Sequence, residues 1–316
     1  QFPIHSDKPL YQQDIDAKKL WDKIIHNAWK SAEPGVMFWD TIIRESIPDC
    51  YADEGFTTVA TNPCGEIPLC PYDSCRLLAI NLLSYVDKPF TKEASFNFEK
   101  FKQHVEKAMR MMDDIIDLEL EKIELIINKI AADPEDEDIR RVELELWKKI
   151  RTMARKGRRT GLGITAEGDM LAALGLRYGT PEATAFAVKV QKTLALEAYR
   201  ASVKMAAERG AFEIFDARKE EKNPMIGRIR EADPELYAEM VKHGRRNIAM
   251  LTIAPTGTTS LMSQTTSGIE PVFRPVYKRR RKINPSDQDA KVAFVDDMGE
   301  KFEEYNVYHH NFVKWL

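Results

Sequence analysis

TNPCGEIPLCPYDSCRLLAIN, residues 61–81, joins a segment rich in proline and cysteine to an apolar one. Cys64 stands two residues after the amide of Asn62 and two residues before the carboxylate of Glu66. The proline and the glycine that flank this cysteine disfavour helix and strand, so a shaped loop is predicted. Such a loop places a thiol, an acid or base and an amide within reach of one substrate. The pattern indicates sulfur-based chemistry on a hydroxylated substrate.

Apolar runs alternate with amphipathic segments on both sides of this loop. Residues 77–86 and 248–254 are predicted to be buried strands, and the glycine-punctuated residues 158–165 a strand or turn. Helical elements are predicted at 14–33, 98–130, 166–175, 181–209 and 234–243, with a further helix ending near 156 and a short element at 37–43. Strands that alternate with helices favour an α/β architecture.

Composition limits the classes of protein to consider. The chain has 316 residues, of which 43% are apolar and 31% charged, so a sizeable core and a solvated surface are both available. The net charge of −3 argues against a general nucleic-acid or membrane-surface binder. The dense basic run at 278–282 is interpreted as a solvated face, with nucleic-acid binding as the minor alternative. No apolar run is long enough to span a bilayer.

Cysteine usage favours a cytoplasmic protein with catalytic or redox-active thiols. Three of the four cysteines, Cys64, Cys70 and Cys75, fall within twelve residues, which is no disulfide scaffold. Two other interpretations stay open: a buried cysteine in a tight turn, and a zinc site made from this cluster. The spacing does not match a C-x₂-C knuckle and no histidine is near, so no metal is predicted. The first residues lack a secretion signal and a starting Met, so a fragment or processed product is expected.

A second segment, residues 248–260, indicates an anion site. An apolar strand leads into a turn rich in glycine and hydroxyl groups, and a short helix is predicted to start at Leu261. The candidate phosphate-binding residues are Pro255, Thr256, Gly257, Thr258, Thr259 and Ser260. Backbone N–H groups at a helix start, with nearby hydroxyl donors, suit a phosphate. The segment is not a Walker A sequence, and an ordinary hydroxyl-capped helix start is the alternative.

A third segment surrounds two closely spaced glycines. Gly161 and Gly163 in the stretch 158–173 predict close backbone packing. The stretch does not follow the G-x-G-x-x-G pattern, so no dinucleotide site is predicted. Taken alone, it is interpreted as structural.

Together the three segments resemble the catalytic large subunit of ribonucleotide reductase, and most closely its adenosylcobalamin-dependent class II. The resemblance rests on the motif around Cys64 with Cys75 eleven residues later, on 159–163, and on Arg246-Asn247 followed by 255–260 and 268–273. It implies part of a ten-stranded α/β barrel with a finger loop that carries a radical cysteine.

The resemblance also implies a role for each site residue. Cys64 is the thiyl radical that removes the 3′ hydrogen of the ribose, and Glu66 takes the proton of the 3′ hydroxyl. Asn62 holds a ribose hydroxyl, and Cys75 is one of two cysteines that supply the reducing electrons and become a disulfide. The turn at 255–260 binds the diphosphate or triphosphate of the substrate.

Cofactor and partners follow from the same resemblance. Adenosylcobalamin is expected as the radical source, a ribonucleoside di- or triphosphate as substrate, and a thioredoxin-type protein as reductant. The product supplies DNA synthesis, and an oligomer without membrane or nucleic-acid partners is expected.

The chain also departs from the family pattern. Only Cys50 precedes Cys64, and it lies too close to be the family's other reducing cysteine. Residues 1–316 are therefore expected to form a partial barrel domain, without its N-terminal half and its C-terminal end. A complementary reductase chain is then needed for turnover. Two alternatives are a glycyl-radical barrel enzyme, although 280–316 show no glycine-radical motif, and a non-catalytic nucleotide-binding or assembly subunit.

Overall fold

The computed structural model describes residues 5–287 and 289–316 and divides into two compact units. The first unit ends at Arg44 and contains helix α1 (Ala17–Ser31) and most of α2 (Trp39–Glu45). The side chain of Asp16 caps α1 by accepting hydrogen bonds from two N–H groups of its first turn. The amphipathic helix predicted at 14–33 is thus confirmed within shorter bounds.

The second unit, Glu45–Leu316, contains the α/β elements. It begins with a 3₁₀ segment, Pro48–Glu54. The elements that follow are β1 (Ala60–Thr61), β2 (Pro68–Leu69), β3 (Leu77–Asn81), β4 (Val86–Asp87), β5 (Ser95–Phe96), α3 (Phe98–Ala131), α4 (Glu137–Gly157), β6 (Gly161–Thr165), α5 (Glu167–Ala173), α6 (Pro181–Arg209), α7 (Ala217–Glu220), α8 (Pro224–Ala232), α9 (Pro234–His243), α10 (Gly257–Ser263), β7 (Val276–Lys282), β8 (Phe294–Val295), β9 (Lys301–Tyr308) and α11 (His310–Trp315).

Strands β3 and β6 lie parallel, in register from Leu77 opposite Gly161 to Asn81 opposite Thr165. The strand predicted at 77–86 is too long. It stops at Asn81, whose side chain accepts a hydrogen bond from the Leu83 N–H at 3.1 Å and starts a 3₁₀ turn. The capping contact offers the backbone an alternative to the strand ladder.

A third extended segment lies beside β6. The Leu162 N–H donates to Met250 O at 2.7 Å, and the Thr252 N–H donates to Leu162 O at 3.0 Å. These two hydrogen bonds form one parallel bridge, between Leu162 and Leu251. The strand predicted at 248–254 is therefore reduced to this bridge. Pro255, which has no N–H, follows this segment.

The two glycines of β6 allow these three segments to approach one another. A Cβ at Gly161 would lie 2.6 Å from Arg76 O, and one at Gly163 would collide with Thr252 O. The close backbone packing predicted from the sequence is confirmed, since neither position has room for a side chain.

Helix α3 packs against this sheet and against α6, and together these elements form most of the core. Phe101, Val105 and Met109 of α3 are buried with Leu194 and Tyr199 of α6 in one apolar cluster. Their bounds agree with the helices predicted at 98–130 and 181–209 to within one residue.

A buried charge network joins α3 to the segment after α9. Asp113 is fully buried and accepts hydrogen bonds from Arg158 Nε at 2.8 Å, Arg246 Nε at 3.1 Å and Asn247 Nδ2 at 3.1 Å. Burial alone would raise the pKa of Asp113, but the hydrogen bond and charge of Arg158, together with Arg246, outweigh it and hold the pKa below its ordinary value. The Arg246-Asn247 motif is thus structural.

The C-terminal sheet has the order β7-β9-β8 and was not predicted from the sequence. The basic run at 278–282 is strand β7, and acidic side chains of β9 face it across the ladder. Arg280 contacts Glu304 at 2.6 Å and Arg281 contacts Glu303 at 2.6 Å. These ion pairs partly neutralise the exposed face. Among the residues that the structure describes, none of the helices could cross a membrane.

Candidate active site

Cys64 lies in the turn of the β1–β2 hairpin, and Asn62 shapes that turn. The Asn62 N–H donates to Ile67 O at 3.2 Å, the Ile67 N–H donates to Asn62 Oδ1 at 3.0 Å, and the Gly65 N–H donates to Asn62 O at 3.0 Å. Gly65 has φ of +82°, which only glycine adopts without strain. The shaped loop predicted from proline and glycine is confirmed, and it leaves Cys64 exposed.

Asn62 and Glu66 form a pair beside this cysteine. Asn62 Nδ2 donates to Glu66 Oε2 at 2.6 Å, while Asn62 Oδ1 is used by the backbone of the turn. The amide therefore orients the carboxylate. Thr252 Oγ1 donates to Glu66 O at 3.3 Å and ties the loop to the extended segment beside β6.

Cys75 belongs to the same electrostatic environment as Glu66. The pKa of the Cys75 thiol is raised by burial first and then by the Glu66 carboxylate, and the cations of Arg159 and Arg76 oppose this shift. Cys64 and Cys75 are both exposed free thiols. Glu66 and Cys75 are therefore close enough to interact electrostatically.

Arg159 belongs to the segment that was interpreted as structural from the sequence, and it lies among the residues that follow the Cys64 loop. Its Nε donates to Asp73 Oδ2 at 2.7 Å, two residues before Cys75, and its Nη2 lies 3.9 Å from Cys70 Sγ. Burial raises the pKa of the Cys70 thiol to about 12. Cys70 therefore remains a protonated core thiol. The alternative of a buried cysteine in a tight turn was made for Cys64, and it is wrong because Cys64 is exposed.

The turn at 255–260 starts a helix earlier than predicted. Helix α10 begins at Gly257, four residues before Leu261, because Thr256 takes a left-handed conformation with φ of 53°. Gly257, Thr258 and Thr259 are exposed, and the first N–H groups of a helix have no partner within it. The N–H groups at the start of α10 are therefore available to solvent as hydrogen-bond donors, as an anion site requires.

Thr256 does not cap α10 through its side chain, so the hydroxyl-capped interpretation is wrong. Its Oγ1 instead accepts a hydrogen bond from the Gly268 N–H at 2.7 Å and lies 2.9 Å from Thr165 Oγ1. Thr165 is a further residue that sequence reasoning missed, since no local pattern joins the end of β6 to this turn.

Other parts of the described chain show no competing centre. Within residues 5–287 and 289–316, no group of three or more His, Cys, Asp or Glu side chains could hold a metal ion. A cavity of about 710 Å³ lies between α6 and α8, lined mainly by apolar side chains with Glu167 at one wall. Burial raises the pKa of Glu167. This cavity shares no lining residue with the Cys64 loop.

Comparisons with known proteins show to which family the chain belongs. The model of the family described as "Ribonucleotide reductase, barrel domain" matches residues 4–301. A vitamin B12-dependent ribonucleoside-diphosphate reductase of Thermoplasma acidophilum is 34% identical over 84% of this chain and 28% of its own length. Its namesake from Mycobacterium tuberculosis strain H37Rv is 32% identical over 84% of this chain and 30% of its own length.

A solved structure shares the fold. The alpha subunit of the class Id ribonucleotide reductase of Actinobacillus ureae aligns with a TM-score of 0.55 and 21% identity, over 80% of this chain and 39% of that subunit. The α/β barrel fold predicted from the sequence is confirmed. The chain spans less than a third of the length of the two curated relatives named above. It belongs to the ribonucleotide reductase family, within which it matches the barrel domain.

Proposed function

We propose that the chain carries the radical cysteine of an adenosylcobalamin-dependent ribonucleotide reductase, which converts ribonucleotides to 2′-deoxyribonucleotides for DNA synthesis. One observation carries the proposal: an exposed thiol, Cys64, on a turn whose amide and carboxylate, Asn62 and Glu66, are already hydrogen-bonded at 2.6 Å. The carboxylate is therefore oriented before substrate arrives.

The proposed chemistry begins at the ribose. The Cys64 thiyl takes the hydrogen atom from C3′, which restores the thiol and leaves a carbon radical. Glu66 accepts the proton of the 3′ hydroxyl, a general-base role that requires hydrogen-bond reach. Asn62 holds a ribose hydroxyl with the amide proton that Glu66 does not use. The 2′ hydroxyl takes up one proton from the pair of reducing thiols and leaves as water, and the second thiol hydrogen is added at C2′. C3′ then recovers its hydrogen atom from Cys64, which restores the thiyl.

Cys75 supplies reducing equivalents in this proposal. Two thiols give two electrons and two protons and become one disulfide, so Cys75 needs a second cysteine. We propose that a complementary reductase chain or segment carries it, and that a thioredoxin-type protein reduces the disulfide. Support comes from the raised pKa of Cys75, which keeps it as a thiol, and from the limited share of the relatives that the chain spans.

The cofactor proposal rests on the relatives' names and on the exposure of Cys64. Adenosylcobalamin, when bound, supplies a radical that oxidises a nearby thiol by removing its hydrogen atom. Cys64 fits this requirement because its side chain is exposed and free.

The substrate phosphates are proposed to lie at Thr256–Ser260. The N–H groups of Gly257, Thr258 and Thr259 and the exposed threonine hydroxyls are the donors. The names of the relatives favour a diphosphate over a triphosphate. The four free cysteines support a reducing, cytoplasmic location. We also propose that the chain acts as part of an oligomer.

A reconstitution experiment tests this function. The chain is combined with the remaining segments of the Thermoplasma acidophilum relative, adenosylcobalamin, a ribonucleoside diphosphate and dithiol reductant. We expect deoxynucleotide from the unmodified chain and from Cys50→Ser, but none from Cys64→Ser. Nucleotide binding without product from the unmodified chain would instead favour the non-catalytic subunit.

A further inference from the structure

The loop 256–268 is fastened at both ends to the end of β6. The Gly268 N–H donates to Thr256 Oγ1 at 2.7 Å, and the Thr256 and Thr165 hydroxyls are 2.9 Å apart. Thr165 Oγ1 donates to Thr266 O at 3.2 Å. Because Thr165 gives its only hydroxyl proton to Thr266, Thr256 donates to Thr165. The hydrogen bonds from Gly268 through Thr256 and Thr165 to Thr266 form a relay in which each hydroxyl group has one orientation.

Asp169 holds the other side of the same loop. It is 1% exposed, and its Oδ2 accepts from the Thr266 N–H at 2.9 Å while its own N–H donates to Thr266 Oγ1 at 3.1 Å. Two side chains from the C-terminal segment donate to the same carboxylate. His309 Nε2 lies 2.7 Å from Oδ1, and Asn311 Nδ2 lies 2.7 Å from Oδ2.

The loop requires such support because its backbone is strained. Thr256 has φ of 53°, which is unfavourable for a β-branched residue, and Ala166, which follows Thr165, has φ of 65°. A Cβ at Gly168 would lie 2.5 Å from Glu270 O, so α5 and the segment after the loop pack backbone to backbone. Strained conformations of this kind persist only where surrounding contacts fix them.

We propose that Asp169 is a positioning residue for the phosphate turn, and that His309 and Asn311 make the geometry of that turn depend on α11. The inference rests on the proposed function, in which Gly257–Thr259 bind phosphate. Loss of the Asp169 carboxylate removes the acceptor of the Thr266 N–H, so the chain of hydrogen bonds from Thr266 through Thr165 to Thr256 is weakened at its Thr266 end. The N–H groups of the turn no longer converge on one anion.

Hydrogen exchange of the 316-residue chain tests the coupling without turnover. Asp169→Asn keeps the size of the side chain but turns one of its two acceptor oxygens into an amide donor. Asn311→Asp places a second carboxylate against Asp169 from the α11 side. Both variants are expected to exchange roughly tenfold faster or more across 256–268 and 309–316, with β3 and β6 unchanged. Asp113→Asn, an equally buried acid in a separate network, is the matched control and should not loosen the turn selectively.

Inorganic pyrophosphate provides the second readout. It is expected to slow exchange at 256–260 in the unmodified chain and in Asp113→Asn, and to bind roughly tenfold more weakly to both turn variants. Faster exchange confined to 309–316 in Asn311→Asp, with 256–268 unaffected, would overturn the coupling. If pyrophosphate leaves the unmodified turn unchanged, the phosphate assignment fails, and the exchange of the free protein still decides the role of Asp169.

Discussion

At the scale of single residues, the amide of Asn62 orients the carboxylate of Glu66 next to an exposed thiol. Glu66→Gln keeps the size and a hydrogen bond but removes the proton acceptor. Deoxynucleotide formation by the reconstituted enzyme should fall by ~10²–10⁴-fold, the usual loss for a general base. Single-turnover rates measure this, with the binding of substrate as the control. A change of less than a few-fold, with chemistry rate-limiting, would reject the role.

Cys75 offers a residue-scale test that the chain alone can answer. Because the Glu66 carboxylate raises the pKa of the Cys75 thiol, Glu66→Gln should lower that pKa and speed its alkylation at fixed pH. Peptide-resolved mass spectrometry of iodoacetamide labelling against pH gives the measurement, and Cys50 in the same sample is the control. An unchanged labelling profile would separate Cys75 from the Glu66 site.

Substitutions of Gly257 test whether phosphate binds at the turn 255–260. A Cβ there would meet no atom within 4 Å, so Gly257→Ala should fold normally. If phosphate lies against this position, the methyl group crowds it, and Gly257→Val crowds it further. Titration with a ribonucleoside diphosphate should show weaker binding in the order Gly, Ala, Val. Gly227→Ala in α8, also free of contacts, is the matched control.

At the scale of elements, the sequence predicted correctly those helices whose ends are set by residues close in sequence. Helix α6 runs Pro181–Arg209, as predicted, because Thr180 caps it and proline fills its first position. The start of α10 was misplaced because Thr256 is held by Gly268, twelve residues away. Sheet β7-β9-β8 was missed because its ion pairs join residues more than twenty positions apart. The Cys64 site was predicted from one loop, whereas Arg159, Thr165 and Asp169 act across the fold.

Strand pairing gives a prediction at this scale. Gly163→Ala forces a methyl group against the Thr252 carbonyl and should destabilise the chain by about 1–3 kcal/mol, the usual range for overpacking. Urea unfolding monitored by circular dichroism measures it against Gly227→Ala. Equal midpoints for the two variants would contradict the tight packing of β6.

For the whole molecule, the Asp113 network couples stability to pH. Its folded pKa lies below the unfolded value of about 3.9, so its contribution is present above that pH and is lost as pH falls through the folded pKa. Asp113→Asn should lower the unfolding free energy by about 3–5 kcal/mol at pH 7, because it breaks a buried ion pair. The difference from the unmodified chain should shrink below pH 3.9. A constant difference at all pH values would contradict this.

The most direct test of the account asks whether C3′–H cleavage limits the reaction that Cys64 begins. The reconstituted enzyme is given a ribonucleoside diphosphate with deuterium at C3′, under conditions in which chemistry limits the rate. The account predicts a primary isotope effect on deoxynucleotide formation with the unmodified chain, and no product with Cys64→Ser. Equal rates for the two substrates, or product from Cys64→Ser, would contradict a thiyl radical at Cys64.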